Sequence, residues 1–165
     1  MLNCEKYAKA MAEYIGIPEY EISLITWLVG LDKTKDFPDK ANFRAIGRTK
    51  NMEYYVIYWK ILAVRTLKEI IRQYNIKGGE YLEDILSCKY SQIISYIQTY
   101  DNMNEELSEL LEEVNKHLED DNKVVIITYD SLDFCIDKEF RGSLVSELIS
   151  FWAENNLRFK NLRTK

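Results

Sequence analysis

Apolar residues recur with helical spacing along most of this chain, and they are densest between Glu53 and Tyr74, EYYVIYWKILAVRTLKEIIRQY. No Gly or Pro interrupts that stretch, which predicts a helix of about six turns, roughly 33 Å long. In its first half, Tyr54 to Trp59 and Ile61 to Val64, apolar side chains fall on every side of a helical wheel, so burial is expected all round. Lys60 lies between those two runs. In the second half the apolar set narrows to Leu67, Ile70, Ile71 and Tyr74, opposite Arg65, Lys68, Glu69 and Arg72. The rest of the chain is expected to pack around this element.

Upstream, Tyr7, Ala8, Met11, Tyr14 and Ile15 predict a short amphipathic helix over Asn3 to Ile15, closed by Gly16. Pro18 suits the first turn of a second helix running through Leu31, with Ile22, Ile25, Trp27, Leu28 and Val29 on its apolar face. Residues 1–31 thus read as a helical hairpin, and residues 32–51 as a long crossover loop. Downstream, Asn75 to Gly79 breaks the helix. Glu80 to Tyr100 resumes it, and Asn102 with Glu105 forms a capping-box pattern ahead of Met103 to Leu118. Residues 53–118 are therefore read as three helices.

The period then changes. Lys123 to Tyr129, KVVIITY, is β-branched and bounded by polar residues, which predicts a strand. Leu132 to Ile136 is expected to pair back on it, giving a β-hairpin over residues 123–137. Gly142 and Ser143 are expected to cap a final helix over residues 143–156, followed by a basic, frayed tail. The fold expected is a mainly α, single-domain bundle of about six helices over residues 1–165, with one C-terminal hairpin. The alternative is α+β with a small three-stranded sheet, Phe43 to Ile46 supplying the third strand.

Composition agrees with long helices: 165 residues contain two prolines and six glycines, with 47% apolar residues. Cys4, Cys88 and Cys135 are an odd number without metal-site spacing, so a reducing, cytoplasmic setting is expected. No apolar run approaches the ~20 residues needed to span a bilayer, so no membrane is expected as a partner.

Charge adds most to the picture. Eight basic residues against two acidic ones give residues 44–77 a net +6, whereas twelve acidic against two basic give residues 78–121 a net −10. Glu105, Glu106, Glu109, Glu112 and Glu113 line the side of the 103–118 helix away from Leu107, Leu110, Leu111, Val114 and Leu118. A rigid row of carboxylates suits docking on a basic surface of another protein. Lys40, Arg44, Arg48 and Lys50, interleaved with aromatic residues, are the alternative site, for nucleic acid.

Catalytic signals are sparse. The segment EELSELLEE, residues 105–113, is similar to the first motif of MazG-like nucleotide pyrophosphohydrolases. That resemblance implies Mg²⁺ held by Glu106, Glu109 and Glu113, with Asp130 and Asp133 placed on a turn as the second acidic pair. His117 is the only histidine, so no histidine pair can be built, and the cysteines fall in apolar segments or near a terminus. Phosphate-loop and dinucleotide glycine motifs are missing, and no cofactor, metal or catalytic residue is assigned. The function expected is non-enzymatic: a small acidic inhibitor or adaptor that binds a protein with a basic surface and is able to form a homo-oligomer. Nucleic-acid binding is the alternative, and Mg²⁺-dependent nucleotide hydrolysis the second.

Overall fold

The computed structural model describes residues 21–28, 38–130 and 132–164 and is mainly α with a small β element. Strand β1 (Glu21–Leu28) comes first. Helices α1 (Lys40–Arg48), α2 (Met52–Thr66), α3 (Lys68–Gln73), α4 (Leu82–Ser87), α5 (Ile93–Thr99) and α6 (Met103–Asp120) follow. Strand β2 (Lys123–Asp130), the single turn α7 (Leu132–Cys135), helix α8 (Lys138–Arg158) and strand β3 (Leu162–Thr164) complete the order.

The apolar stretch that begins at Glu53 is the centre of the core. Along α2, Tyr55 and every residue from Ile57 to Val64 are buried, and the helix packs against α6 and α8 with α1, α4 and α5 at its flanks. Burying one such side chain stabilises by roughly 1.5–3 kcal/mol. Two of its rings have their polar atoms satisfied by neighbouring helices: Trp59 Nε1 donates to the Leu144 carbonyl at 2.7 Å, and Tyr55 OH donates to the Gly47 carbonyl at 2.8 Å. The Asn51 side chain accepts from the backbone N–H groups of Glu53 and Tyr54, which fixes where α2 begins.

Several expectations are corrected by this arrangement. The expected helix over 53–74 is divided at Leu67, where ψ moves to 6°, into α2 and α3. Glu80 to Tyr100 is likewise divided, into α4, a 3₁₀ turn at Tyr90–Gln92 and α5. The crossover 32–51 contains α1, whose Asp39 and Asn42 cap each other reciprocally. Phe43 and Ile46, proposed above as strand residues, are buried on α1. Gly142 and Ser143 do not cap the last helix but lie within α8. The expected helix over Asn3 to Ile15 lies outside the described residues.

The second expected helix, from Pro18, contains β1 instead. EISLITWL is rich in β-branched and apolar residues, and such a run is equally compatible with a fully buried strand. The sheet order is β1-β2-β3 and both pairings are parallel, in place of the expected hairpin. Glu21 pairs with Lys123 and Leu28 with Asp130, while Val125 pairs with Leu162 and Ile127 with Thr164. Parallel neighbours need long crossovers, supplied here by α1 to α6 and then by α7 and α8. Leu132 to Ile136 therefore does not return along β2 but turns as α7, with Ile136 N donating to the Leu132 carbonyl at 3.0 Å.

Lying in the middle of three strands, β2 buries all of Val124, Val125, Ile126 and Ile127. A continuous β-branched run is what two covered faces require. The basic tail, expected to fray, is instead pinned as β3. Asn115 Oδ1 on α6 accepts from the N–H groups of Asn161 and Leu162 at 2.9 and 3.0 Å, and Asn161 Nδ2 donates to the Lys123 carbonyl at 2.8 Å.

Candidate partner-binding surface

The placement of the acidic row follows from the stripe that α6 buries. Met103, Leu107, Leu110, Leu111, Val114 and Leu118 face the core, so the opposite side carries Glu105, Glu109, Glu112 and Glu113 into solvent. Glu106 is different, because it borders the buried stripe. Its Oε2 is shielded from solvent and has no hydrogen bond among the described residues, and it lies so close to Gly79 that a Cβ there would collide with it. Burial, with the Glu106 carboxylate alongside, pushes the Tyr81 phenol well up.

Not all of the exposed acids are available to a partner. Glu112 pairs with Arg158 at the end of α8, and Glu119 pairs with Lys160 at 3.0 Å. Glu113 is 3.7 Å from His117 Nε2, one turn on, and His117 stacks on Tyr74 with ring centroids 5.0 Å apart. Tyr74 OH in turn donates to Asp121 at 2.5 Å. Among the described residues, Glu105 and Glu109, also one turn apart, form no ion pair. They are the open part of the row.

The basic alternative is partly neutralised as well. Lys40, Arg44 and Arg48 repeat every fourth residue along the outer side of α1, and Lys50 follows its end with a positive φ of 52°. Asp137 takes up the first two: Lys40 Nζ is 2.9 Å from its Oδ1 and Arg44 Nε 2.7 Å from its Oδ2. The hydrogen bonds from Arg44 and then Lys40 hold the Asp137 carboxyl below its usual range. Arg48 and Lys50 remain exposed, without an ion pair among the described residues. The sequence spacing could not reveal Asp137, which lies 93 positions from Arg44.

The structure also places the groups weighed for chemistry. No cluster of three or more His, Cys, Asp or Glu among the described residues is arranged to hold a metal ion. Burial raises the thiols of Cys88 and Cys135, which disfavours the nucleophilic thiolate. Lys60 is the group that spacing alone did not single out, although it is the one charge among Tyr54 to Val64. It is buried between α2 and α6, its Nζ donating to Asn104 Oδ1 at 2.6 Å, Ser108 Oγ at 2.6 Å and the Asn104 carbonyl at 3.0 Å. No helix among the described residues is long and apolar enough to cross a membrane. Compared with known proteins, the chain matches no family model, no curated protein and no solved structure.

Proposed function

We propose that this protein acts by binding another protein, as a small inhibitor or adaptor, through the acidic outer side of α6. The observation that carries the reading is that Glu105 and Glu109 stand exposed, and without ion pairs among the described residues, on a helix anchored by six buried apolar residues, with Glu112 and Glu113 beside them. A row of carboxylates on a rigid support loses little conformational freedom on docking and attracts a basic partner over about 8–10 Å at physiological salt. By comparison, the two cations that Asp137 leaves open, Arg48 and Lys50, lie at and beyond the end of α1 rather than along one helix face, which favours the acidic side as the contact.

The test is charge reversal. Glu105→Lys, Glu109→Lys and Glu113→Lys together are expected to abolish capture of the protein partner from the native host, identified by mass spectrometry, with the melting temperature almost unchanged. Glu106 is left intact because its carboxylate is partly enclosed and its reversal would perturb the fold. Capture that survives the triple reversal overturns the reading.

A further inference from the structure

Lys60 is the one charged side chain among the described residues that the core encloses, at 8% exposure. Its three acceptors differ in a way that matters when the proton leaves. Asn104 Oδ1 and the Asn104 carbonyl can only accept, whereas Ser108 carries a hydroxyl hydrogen of its own. With the amine protonated, Nζ gives one hydrogen to each of the three, and Ser108 Oγ donates onward to the Asn104 carbonyl at 3.0 Å. With the amine neutral, two hydrogens remain for the Asn104 oxygens and the lone pair is directed at Ser108 Oγ, 2.6 Å away. The hydroxyl hydrogen then turns from the carbonyl to the nitrogen, and every polar atom of the group keeps a partner in both states. Loss of one proton thus converts Lys60 from a donor to Ser108 into a base hydrogen-bonded to it.

We infer that Ser108 and Lys60 form a nucleophile and general-base pair, a site that does not depend on the acidic row, and that it takes the acyl group of small esters. A serine hydroxyl within hydrogen-bond reach of an unprotonated amine is activated in this way. Access favours the serine: Ser108 is half-buried, so an electrophile meets Oγ before the more enclosed Nζ. Burial lowers the amine from 10.5 to about 8, which leaves about a tenth of it neutral at pH 7, against about one in three thousand for an ordinary lysine. Glu154 and Arg158 of α8 are the charged groups that face it, the first raising it and the second lowering it. In the reaction Ser108 Oγ bonds to the ester carbonyl carbon while its proton passes to Nζ. The C–O bond to the alcohol then breaks, and the alkoxide takes that proton from Nζ. Water repeats the sequence on the acyl-serine, releasing the carboxylic acid and restoring the Ser108 hydroxyl. Because Asn104 Oδ1 is held by the amine, its Nδ2 is left without a partner among the described residues, one turn before Ser108, as donor to the oxyanion. One base and one such donor suit an ester, whose alkoxide leaves more readily than an amine.

A fluorophosphonate probe, which phosphonylates an activated serine with loss of fluoride, tests the pair on the full chain, the labelled residue being located by peptide mass spectrometry. The folded protein should be labelled at Ser108, at a rate that rises with pH through a midpoint near 8, and the urea-unfolded chain should not. Ser108→Ala should abolish the label. Lys60→Met should slow it by at least about a hundredfold, since removal of a general base costs roughly 10²–10⁴ in rate, with helical circular dichroism retained in both variants. Hydrolysis of p-nitrophenyl acetate should show the same pH dependence and the same losses. Absence of label on Ser108 from about pH 7 to about pH 9.5 overturns the inference, as does labelling that Lys60→Met leaves at the wild-type rate. A wild-type rate that does not change with pH removes Lys60 as the base, whether or not the methionine variant folds.

Discussion

Lys60 Nζ lies 2.6 Å from Asn104 Oδ1, inside the contact of α2 with α6 and with no carboxylate as its hydrogen-bond partner. The three oxygens that accept from it are neutral. Burial therefore dominates: it lowers the lysine from 10.5 to about 8, against which Glu154 acts to raise it, while Arg158 lowers it further. Below pH 8 the folded and unfolded chains both hold the proton, and the fold bears the whole cost of enclosing the charge. Between about pH 8 and 10.5 the unfolded chain binds more protons than the folded one, so this group makes stability rise with pH. The rise is on the order of 2 kcal/mol after discounting for the solvent that still reaches the amine. Urea unfolding of wild type and Lys60→Met at about pH 7.5 and 9.5 checks it. The wild type should gain on the variant as pH rises, and parallel behaviour contradicts the assignment. Staying below pH 10 avoids the buried tyrosines Tyr58 and Tyr129, whose raised phenols lose stability above their ordinary range.

Asn115 determines whether the C-terminal strand stays in place. Its Oδ1 is the acceptor for two successive backbone N–H groups, those of Asn161 and Leu162. Leucine at this position fills similar volume but leaves both donors without a partner, and each such loss costs about 1–3 kcal/mol. Asn115→Leu is thus expected to destabilise by about 2–4 kcal/mol and to speed amide exchange at Leu162 ahead of the core. Asn115→Asp, which keeps the acceptor, should cost less than the leucine. Equal exchange rates at Leu162 in wild type and Asn115→Leu would refute the anchoring role.

These two residues also show what the chain's pattern could and could not disclose. The buried centre of α2, the core stripe of α6 and the existence of β2 follow from local periodicity, because each is determined by residues a few positions apart. Partners far along the chain leave no such trace. Val125 meets Leu162, and Lys40 and Arg44 meet Asp137, across distances that spacing does not report. EISLITWL could be read as helix because its apolar residues do not alternate strictly with polar ones. The acidic row was legible as a row, yet Glu106 is withdrawn from it by its place at the edge of the buried stripe, and Glu112 by Arg158.

Two glycines in helices should respond to alanine with opposite sign. Gly47 is buried on α1, and a Cβ there would drive into the ring of Phe140 on α8. Its carbonyl also accepts from Tyr55 OH, so the backbone has little freedom to retreat. Overpacking of this kind costs about 1–3 kcal/mol. Gly142, within α8, would meet nothing, and alanine there should stabilise the protein by roughly 0.5–1 kcal/mol by lowering the entropy of the unfolded chain. Thermal unfolding of the two single variants checks the pair: a gain from Gly47→Ala would show that the α1–α8 contact is looser than described, and a loss from Gly142→Ala would contradict the open surroundings of that position.

Tyr58 offers the reverse test, a polar atom whose removal should be harmless. Its side chain is almost wholly enclosed, edge-on to Phe43 and Trp59 with ring centroids 5.9 and 6.4 Å away. Its hydroxyl has no hydrogen-bond partner among the described residues. Burial pushes the phenol well above its ordinary range, so the group remains neutral at physiological pH. An enclosed hydroxyl without a partner has lost its bonds to water and gained none, which costs about 1–3 kcal/mol relative to an apolar group of the same shape. Tyr58→Phe keeps the ring and both edge contacts, and it is expected to leave stability unchanged or raise it by up to about 2 kcal/mol. Tyr58→Leu discards the ring pairs as well and should destabilise by about 1–3 kcal/mol. Denaturant midpoints order the three proteins, and a phenylalanine variant clearly less stable than wild type would require a partner for the Tyr58 hydroxyl.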